Sequence, residues 1–471
     1  MPLNGSQTPS MSGVKANQSQ PHVVPKSMRK RKRWPYVLLG LLFGCPCLLV
    51  GVGLAGFKWS LSGSGGSLAA ELAAARRAGI PAEPDDLRKL VALPEKDNAA
   101  SDYQAAFGRM HGWKPAKTFS TSLANFLRMS ATAKEEKEVR EATAKASGTL
   151  DLIVKASSKP GVDWHRRWED GPNVMFPEFS DMKRAAKLLC AKAILLARAD
   201  NSKESWRLLA AAARIGMNAG LDPSLIGALV QCAIDNIATA AMCSVLGIKH
   251  DGATLNLARR IVRDLPPLAD LARAMGGDLV MHRIGIQRIV EFTEPQSDWI
   301  QPYQEFPGKW LVRDPGFRTA MEARIVHYDR EVSLAFRNNH GWKQRKAAID
   351  NLDSRSAADH SLDNRLAMDI VASYSGLADP PSRSLAYRHM LAAAIEVHLA
   401  RNRTGRMPSQ LPDLGENGND PFSEKPLGYK LAAGGFKVYS VDTDGVDDGG
   451  LTRAEDKRGR SKTHDLAMSF R

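Results

Sequence analysis

Residues 35–57 read PYVLLGLLFGCPCLLVGVGLAGF, a run without one charged side chain. At ~1.5 Å of rise per residue the run matches a bilayer hydrocarbon core of about 30 Å, and it exceeds the apolar region of a cleavable signal peptide. It therefore predicts a single transmembrane helix, which Pro46, between Cys45 and Cys47, can kink where neighbouring groups re-satisfy the backbone. Arg29, Lys30, Arg31, Lys32 and Arg33 stand directly before it and only Lys58 follows closely. By the positive-inside rule the N-terminus is cytoplasmic and everything after residue 57 is displayed outside.

On the cytoplasmic side, residues 1–34 form a basic tail that opens on a stretch rich in Ser, Gln, Asn, Pro and Gly and is expected to be disordered. Lys15, Lys26 and the five cations just named lie there without an acid, so this short tail carries half of the chain's net charge of +14. Such a tail serves as a topogenic signal and an attraction to anionic headgroups, and no nucleic-acid partner is expected from it. On the other side, 58–67 contains SLSGSGGS, a flexible linker that frees the ectodomain from the lipid surface.

With 471 residues and 43% apolar content the chain can bury a large core. Residues 68–380 predict a mainly α ectodomain. A short Ala/Leu helix ends at Gly79, Pro84, Asp85 and Asp86 open the next, Asn98 caps a third, and a strongly charged helix spans 122–146. From Asp181 the pattern sharpens: Leu188, Leu189, Ile194 and Leu195, then Trp206, Leu209, Ala213 and Met217, then Leu225, Leu229, Ala233 and Ile237 fall at spacings of three and four, with Asn201-Ser202 and Asp222-Pro223 between them. These spacings predict helices packed antiparallel. Ala210 to Ala213 permits close approach as in tetratricopeptide hairpins, yet no 34-residue repeat is sustained, so an irregular α-helical bundle and a solenoid-like stack both fit. Further helices are expected at 253–265, 278–292, 317–336, 342–352 and 362–374. Cys190, Cys232 and Cys243 fall in helical stretches without CxxC spacing. Buried free thiols are expected of them, and a bridge from Cys190 to one of the others is the alternative.

Two aromatic-rich interruptions break the pattern. Residues 161–179, GVDWHRRWEDGPNVMFPEF, read either as a plug over helix ends or as a groove in which Arg166 and Arg167, beside Trp164 and Trp168, stack on a sugar or base. Residues 293–316 carry Trp299, Tyr303, Phe306 and Trp310 in a loop long enough to be functional or a surface insertion.

The last portion, 381–471, changes class. A helix over 382–402 leads to strands near Tyr429 and over 436–441, with Gly434-Gly435 as the turn and Phe436, Val438 and Ser440 on one face, which predicts a small α+β module with an antiparallel sheet. Within it Asp442, Asp444, Asp447 and Asp448 crowd between Gly445, Gly449 and Gly450, hard oxygen ligands on a backbone free to curl. Calcium and a bare Asp-Gly turn both suit this spacing, which is not that of an EF-hand. Elsewhere His327, Glu331 and Glu322 allow a metal site to be drawn, although an ion pair is the expected use of that spacing. No HExxH, P-loop, GxSxG or dinucleotide fingerprint occurs.

The order of helix, Gly405-Arg406-Met407-Pro408, Asp420-Pro421-Phe422-Ser423, Lys425-Pro426-Leu427 with Tyr429, Gly435-Phe436, Val438-Tyr439-Ser440-Val441, the acidic turn and a distal Asp465-Leu466 resembles the C-terminal half of the type II secretion major pseudopilin, a module that recurs in large membrane-anchored envelope proteins of bacteria. The N-terminus lacks the prepilin pattern of a cleavage glycine followed by a glutamate in the apolar run. The resemblance implies an extracytoplasmic address at the bacterial inner membrane and a sheet closed by a structural calcium ion, with Asp465 at the position of the family's later ligand. The expected protein is a single-pass envelope protein with a non-catalytic interaction or scaffold role toward a protein partner. An extracytoplasmic hydrolase with its site on the helices, or a component of a secretion apparatus, is the alternative.

Overall fold

The computed structural model describes residues 67–113, 117–291, 311–371, 373–432, 434–456, 461 and 463–470. The expected tail, membrane span and linker up to residue 66 lie outside them, as does 293–310 of the second aromatic interruption. The described part is mainly helical, with a small C-terminal antiparallel sheet.

Ser67 accepts a hydrogen bond from the Ala70 amide and starts α1 (Leu68–Arg77). Proline in the first turn and a capping box between Glu83 and Asp86 start α2 (Pro84–Val91). The Asn98 side chain takes the Ala100 amide at 3.0 Å ahead of α3 (Ala100–His111). The charged helix expected over 122–146 is two helices, α4 (Phe119–Leu127) and α5 (Ala133–Lys145). Met129 turns to φ 57° between them, and Thr132 and Glu135 close a capping box whose Thr-x-x-Glu spelling is plain in the sequence. A helix the hydrophobic pattern did not single out, α6 (Ser147–Ser157), comes next.

Then come α7 (Glu178–Arg198), α8 (Ser202–Gly220) and α9 (Leu225–Ile248); Asn201 caps α8 where expected, and Ser224, just past the expected Asp222-Pro223, caps α9. Their three- and four-residue connections fold them as sequential antiparallel neighbours. Ala211 and Ala212 are fully buried where α8 meets them, the close approach that small side chains allow. After α10 (Gly252–Arg263), α11 (Leu271–Gln287) starts earlier than the expected 278 because Asp270 caps it, accepting the Arg273 amide at 3.1 Å. The rest are α12 (Pro315–Asn338), α13 (Trp342–Ala358), α14 (Leu362–Ile370) and α15 (Asp379–Thr404).

Among the described residues α9 is the one helix long and apolar enough to cross a membrane, with a mean hydropathy of 1.5 over its best window, of which 61% is buried inside the fold. It packs against α7, α8 and α15, and Asp235 on it pairs with Arg388 of α15. Long, apolar and surrounded, it has the features of a core helix as fully as those of a span.

Strands β1 (Gly428–Ala432), β2 (Gly435–Ser440) and β3 (Leu466–Phe470) form an antiparallel sheet in the order β1-β2-β3, with Tyr429 opposite Val438 and Val438 opposite Met468. Phe436, Val438 and Ser440 are buried, the face read from the alternation. Phe436, Val438 and Phe470 belong to the same apolar core as α7, α8 and the middle of α15. A second core gathers α11 to α14 around Met321, Ile325, Val332 and Phe336, with Phe422 from the segment before the sheet. One contact between the two halves is especially close. A Cβ on Gly277 would fall 1.7 Å from the Pro223 carbonyl oxygen, so only glycine lets α11 reach the turn before α9.

Candidate functional site

The five aspartates of the predicted metal site do not share one role. Asp442, at φ 54°, turns to Arg383 of α15 with a 2.8 Å ion pair. Asp444 is taken up by the amides of Val446 (2.9 Å) and His464 (3.1 Å), and Asp447 by that of Gly449 (2.8 Å). Asp448 and Asp465 are brought together. One Asp465 oxygen accepts the Asp448 and Gly450 amides at 3.1 and 2.7 Å, and one Asp448 oxygen accepts the Thr463 hydroxyl at 3.2 Å. The other oxygen of each, Asp448 Oδ2 and Asp465 Oδ1, is buried without a partner. Burial first, then the carboxylates of Asp447 and Asp448, push Asp465 up to about 6. The turn thus has the two properties that a cation relieves, an orphaned pair of oxygens and crowded negative charge. Two carboxylates are fewer than the six to eight oxygens calcium takes, so carbonyls and water would have to supply the remainder. Among the described residues no group of three or more His, Cys, Asp or Glu side chains is arranged to hold a metal.

A second polar cluster lies where α9, α11 and α12 meet. Asp278 accepts the Leu225 amide at the start of α9 at 2.7 Å. One turn along α11, His282 Nδ1 lies 2.9 Å from Asp329, whose other oxygen accepts the Tyr374 hydroxyl at 3.2 Å. Burial pushes Asp278 up to about 6, with Asp329 and Asp222 adding to the rise. Burial disfavours the His282 cation, but Asp329 and Asp278 more than offset this and raise its pKa. A carboxylate that fixes an imidazole is the arrangement of a general base and its orienting partner. Asp329 is 0% exposed, however, and the His282 side chain 17%, so the group is set within helix packing. The sequence carried one sign of it, an Asp and a His four residues apart on one helix. The partner on α12 comes from tertiary structure alone.

The 161–179 interruption is a plug. Trp168 is 1% exposed, wedged among Leu87, Val280, Met281 and Ile284, and Gly171 at φ 57° carries the chain over α11. Arg166 points inward to Glu178 and Asp222, and the Arg167 side chain is 81% exposed. His327 and Glu331 likewise serve ion pairs: Glu71 of α1 lies 3.4 Å from His327 and 3.0 Å from Arg330, which also binds Glu331. Glu322 pairs with Arg283. Cys190, Cys232 and Cys243 are free thiols.

The wide openings lie elsewhere. A groove of about 840 Å³ runs between α10, α15 and the segment after α15, lined by Arg259, Arg260, Arg388, His389, Glu396 and Asp413. Another of about 880 Å³ runs along β3 beside α9, with Tyr387, Cys243 and Met468 in its wall. No protein-family model, curated protein or solved structure matches the chain.

Proposed function

We propose that the chain is a single-pass envelope protein whose helical ectodomain holds a protein partner without chemistry of its own. The observation that carries this reading is the separation of chemistry from access. The imidazole and carboxylates that could act as a base are packed between helices, whereas the arginine-lined groove beside α10 is open and has ion pairs, such as Arg259 with Glu396 at 2.7 Å, along its wall. Mixed charge over a broad groove suits a polar protein segment, with Arg260 exposed on the rim. A photo-crosslinking residue in place of Arg260, in intact cells, is expected to trap a discrete protein adduct that the same residue in place of the exposed Lys203 does not. Equal trapping from both positions, or none from either, would defeat the proposal.

One observation favours a hydrolase reading instead, the His282 to Asp329 bond with Tyr374 behind it. Under that reading His282→Ala removes an activity, and the loss persists at a temperature where the variant, destabilised by leaving the buried Asp329 unpaired, is still folded by its melting curve.

The proposal extends to the membrane and the C-terminal module. The uncharged span at 35–57 with its basic flank supports a cytoplasmic N-terminus and an inner-membrane address. A helix followed by a three-stranded sheet, with the acidic turn between β2 and β3, supports kinship with the pseudopilin module and, through it, an association with secretion components. In that module a structural calcium ion would sit between Asp448 and Asp465 and pin β3. Millimolar calcium is expected to raise the melting temperature by a few degrees, as binding to the folded state alone requires, and Asp465→Asn to abolish the shift. An unchanged midpoint at saturating calcium would rule the ion out.

A further inference from the structure

Arg273 in the first turn of α11, Arg337 in the last turn of α12 and Arg345 in the first turn of α13 converge on a pocket of about 440 Å³. Their guanidinium groups bond to backbone carbonyls alone among the described residues: Arg273 to Leu221 at 3.0 Å and Leu90 at 3.4 Å, Arg337 to Ala78, and Arg345 to Asn339 at 2.7 Å. Arg273 Nε is buried and has no partner. One carboxylate shares the lining, Asp270, and it is already engaged in capping α11. Three cations therefore face one anion in the lining of a partly dry recess, with Asp222, which is already paired with Arg166, acting on Arg273 from behind, and burial lowers the pKa of both Arg273 and Arg345. Structural arginines of this chain are treated differently: Arg283 has Glu322 and Glu83, and Arg324 has Asp359 and Asp363.

We propose that this pocket binds a small phosphate monoester or the phosphate of a lipid headgroup, gripped by Arg273, Arg337 and Arg345. The dianion of a phosphate monoester, or the single charge of a headgroup phosphodiester, offsets the positive charge of the lining. The planar fork of a guanidinium matches two phosphate oxygens at once, and three forks from three helices can enclose the group. The volume lies at the lower end for small-ligand sites, enough for phosphate and a few carbons. Phe336, Leu90 and Ala272 give those carbons an apolar wall. This site lies apart from the α10 groove and goes beyond the interaction role of the ectodomain.

The test uses the full chain in phosphatidylcholine nanodiscs, titrated calorimetrically with inorganic phosphate and with glycerol 3-phosphate. Saturable binding is expected, weakened about tenfold or more by Arg337→Gln or Arg345→Gln, as the loss of one charge-assisted bond implies, and unaffected by Lys203→Gln, a change at an exposed residue. Arg337 is exposed, so its replacement leaves the fold intact, which a melting curve verifies. In phosphatidylglycerol nanodiscs a weaker apparent affinity for glycerol 3-phosphate identifies a lipid headgroup as the occupant, and an unchanged affinity identifies the free ester. Absence of binding in both kinds of nanodisc, or equal affinity in the wild type and both arginine variants, would overturn the proposal.

Discussion

Arg166→Ala is expected to lower unfolding stability by about 3–5 kcal/mol, the range for removing one partner from a buried ionic group. The side chain is 6% exposed, donates to Glu178 and Asp222, which are 10% and 3% exposed, and reaches the Met175 carbonyl at 2.8 Å. Its guanidinium also lies 4.3 Å from the Phe176 ring centre and 5.2 Å from that of Phe179. Truncation leaves two carboxylates in a dry interface without their bonded counter-charge, with Arg273 acting on Asp222 only through space. Asp222 is already held above the usual carboxylate range by burial, against the pull of Arg166, so the variant should take up a proton there more readily. The defect is therefore expected to be largest near pH 8 and smaller near pH 5. Urea unfolding at the two pH values measures both claims, and Arg166→Met separates the lost charge from lost packing. A variant as stable as the wild type would mean that the ion pairs at this plug contribute nothing net.

The same residue shows where sequence reading stops. Arg-Arg flanked by tryptophans spells a stacking surface and a plug equally well, because the letters do not say which arginine points inward. The choice depends on Asp222, 56 positions further along the chain at the turn between α8 and α9. Helix positions were legible wherever a local signal fixed them: Asn201 caps α8 through a bond to an amide of its first turn, and the alternation at Phe436 to Ser440 set the buried face of β2. α6 carries its stripe of Leu150, Ile153 and Val154 over a single turn and was missed, and α11 begins at a cap preceded by Pro266 and Pro267, so its boundary was shifted. The acidic turn was legible as a cluster. Its division was not, because Asp442 is drawn off by Arg383, a residue of α15, while Asp448 and Asp465 meet only once β3 returns alongside β2. The arginine pocket left no sequence sign, since its three members come from three helices that tertiary packing alone aligns.

Stability is expected to be greater at pH 5 than at pH 7.5, and Asp278 is one of two main causes, the other being Asp465, which is raised to the same extent in the metal-free turn. The Asp278 carboxyl is raised to about 6 in the folded chain by burial, with Asp329 and Asp222 adding to the rise and His282 and the Leu225 amide opposing it. In the unfolded chain the same group titrates near the ordinary value of about 3.9. The folded state therefore holds the proton more tightly, so stability falls as the pH rises from about 4 through 6 and is level above that, by up to about 3 kcal/mol for a shift of this size. His282 adds in the same direction. Its raised pKa means that the stabilisation from Asp329 is complete when the imidazole is charged and fades as the pH climbs through the folded value. Carboxylates held low by hydrogen bonds and ion pairs, such as Glu135 at its capping box and Glu136 with Arg198, act oppositely, and their stabilisation is lost only as the pH falls below the usual carboxylate range. The two slopes together place the maximum near pH 5. Asp278→Asn keeps the bond to the Leu225 amide through its carbonyl oxygen and has no charge to bury, so the variant should gain most at pH 7.5 and lower the slope between pH 5 and 7.5, the remainder coming from Asp465. Urea midpoints across that range, taken with chelator present so that the Asp465 turn is metal-free throughout, test the assignment. A wild-type midpoint that rises toward pH 7.5, or an Asp278→Asn profile as steep as the wild type, would show that this carboxyl is ionised in the fold at no net penalty.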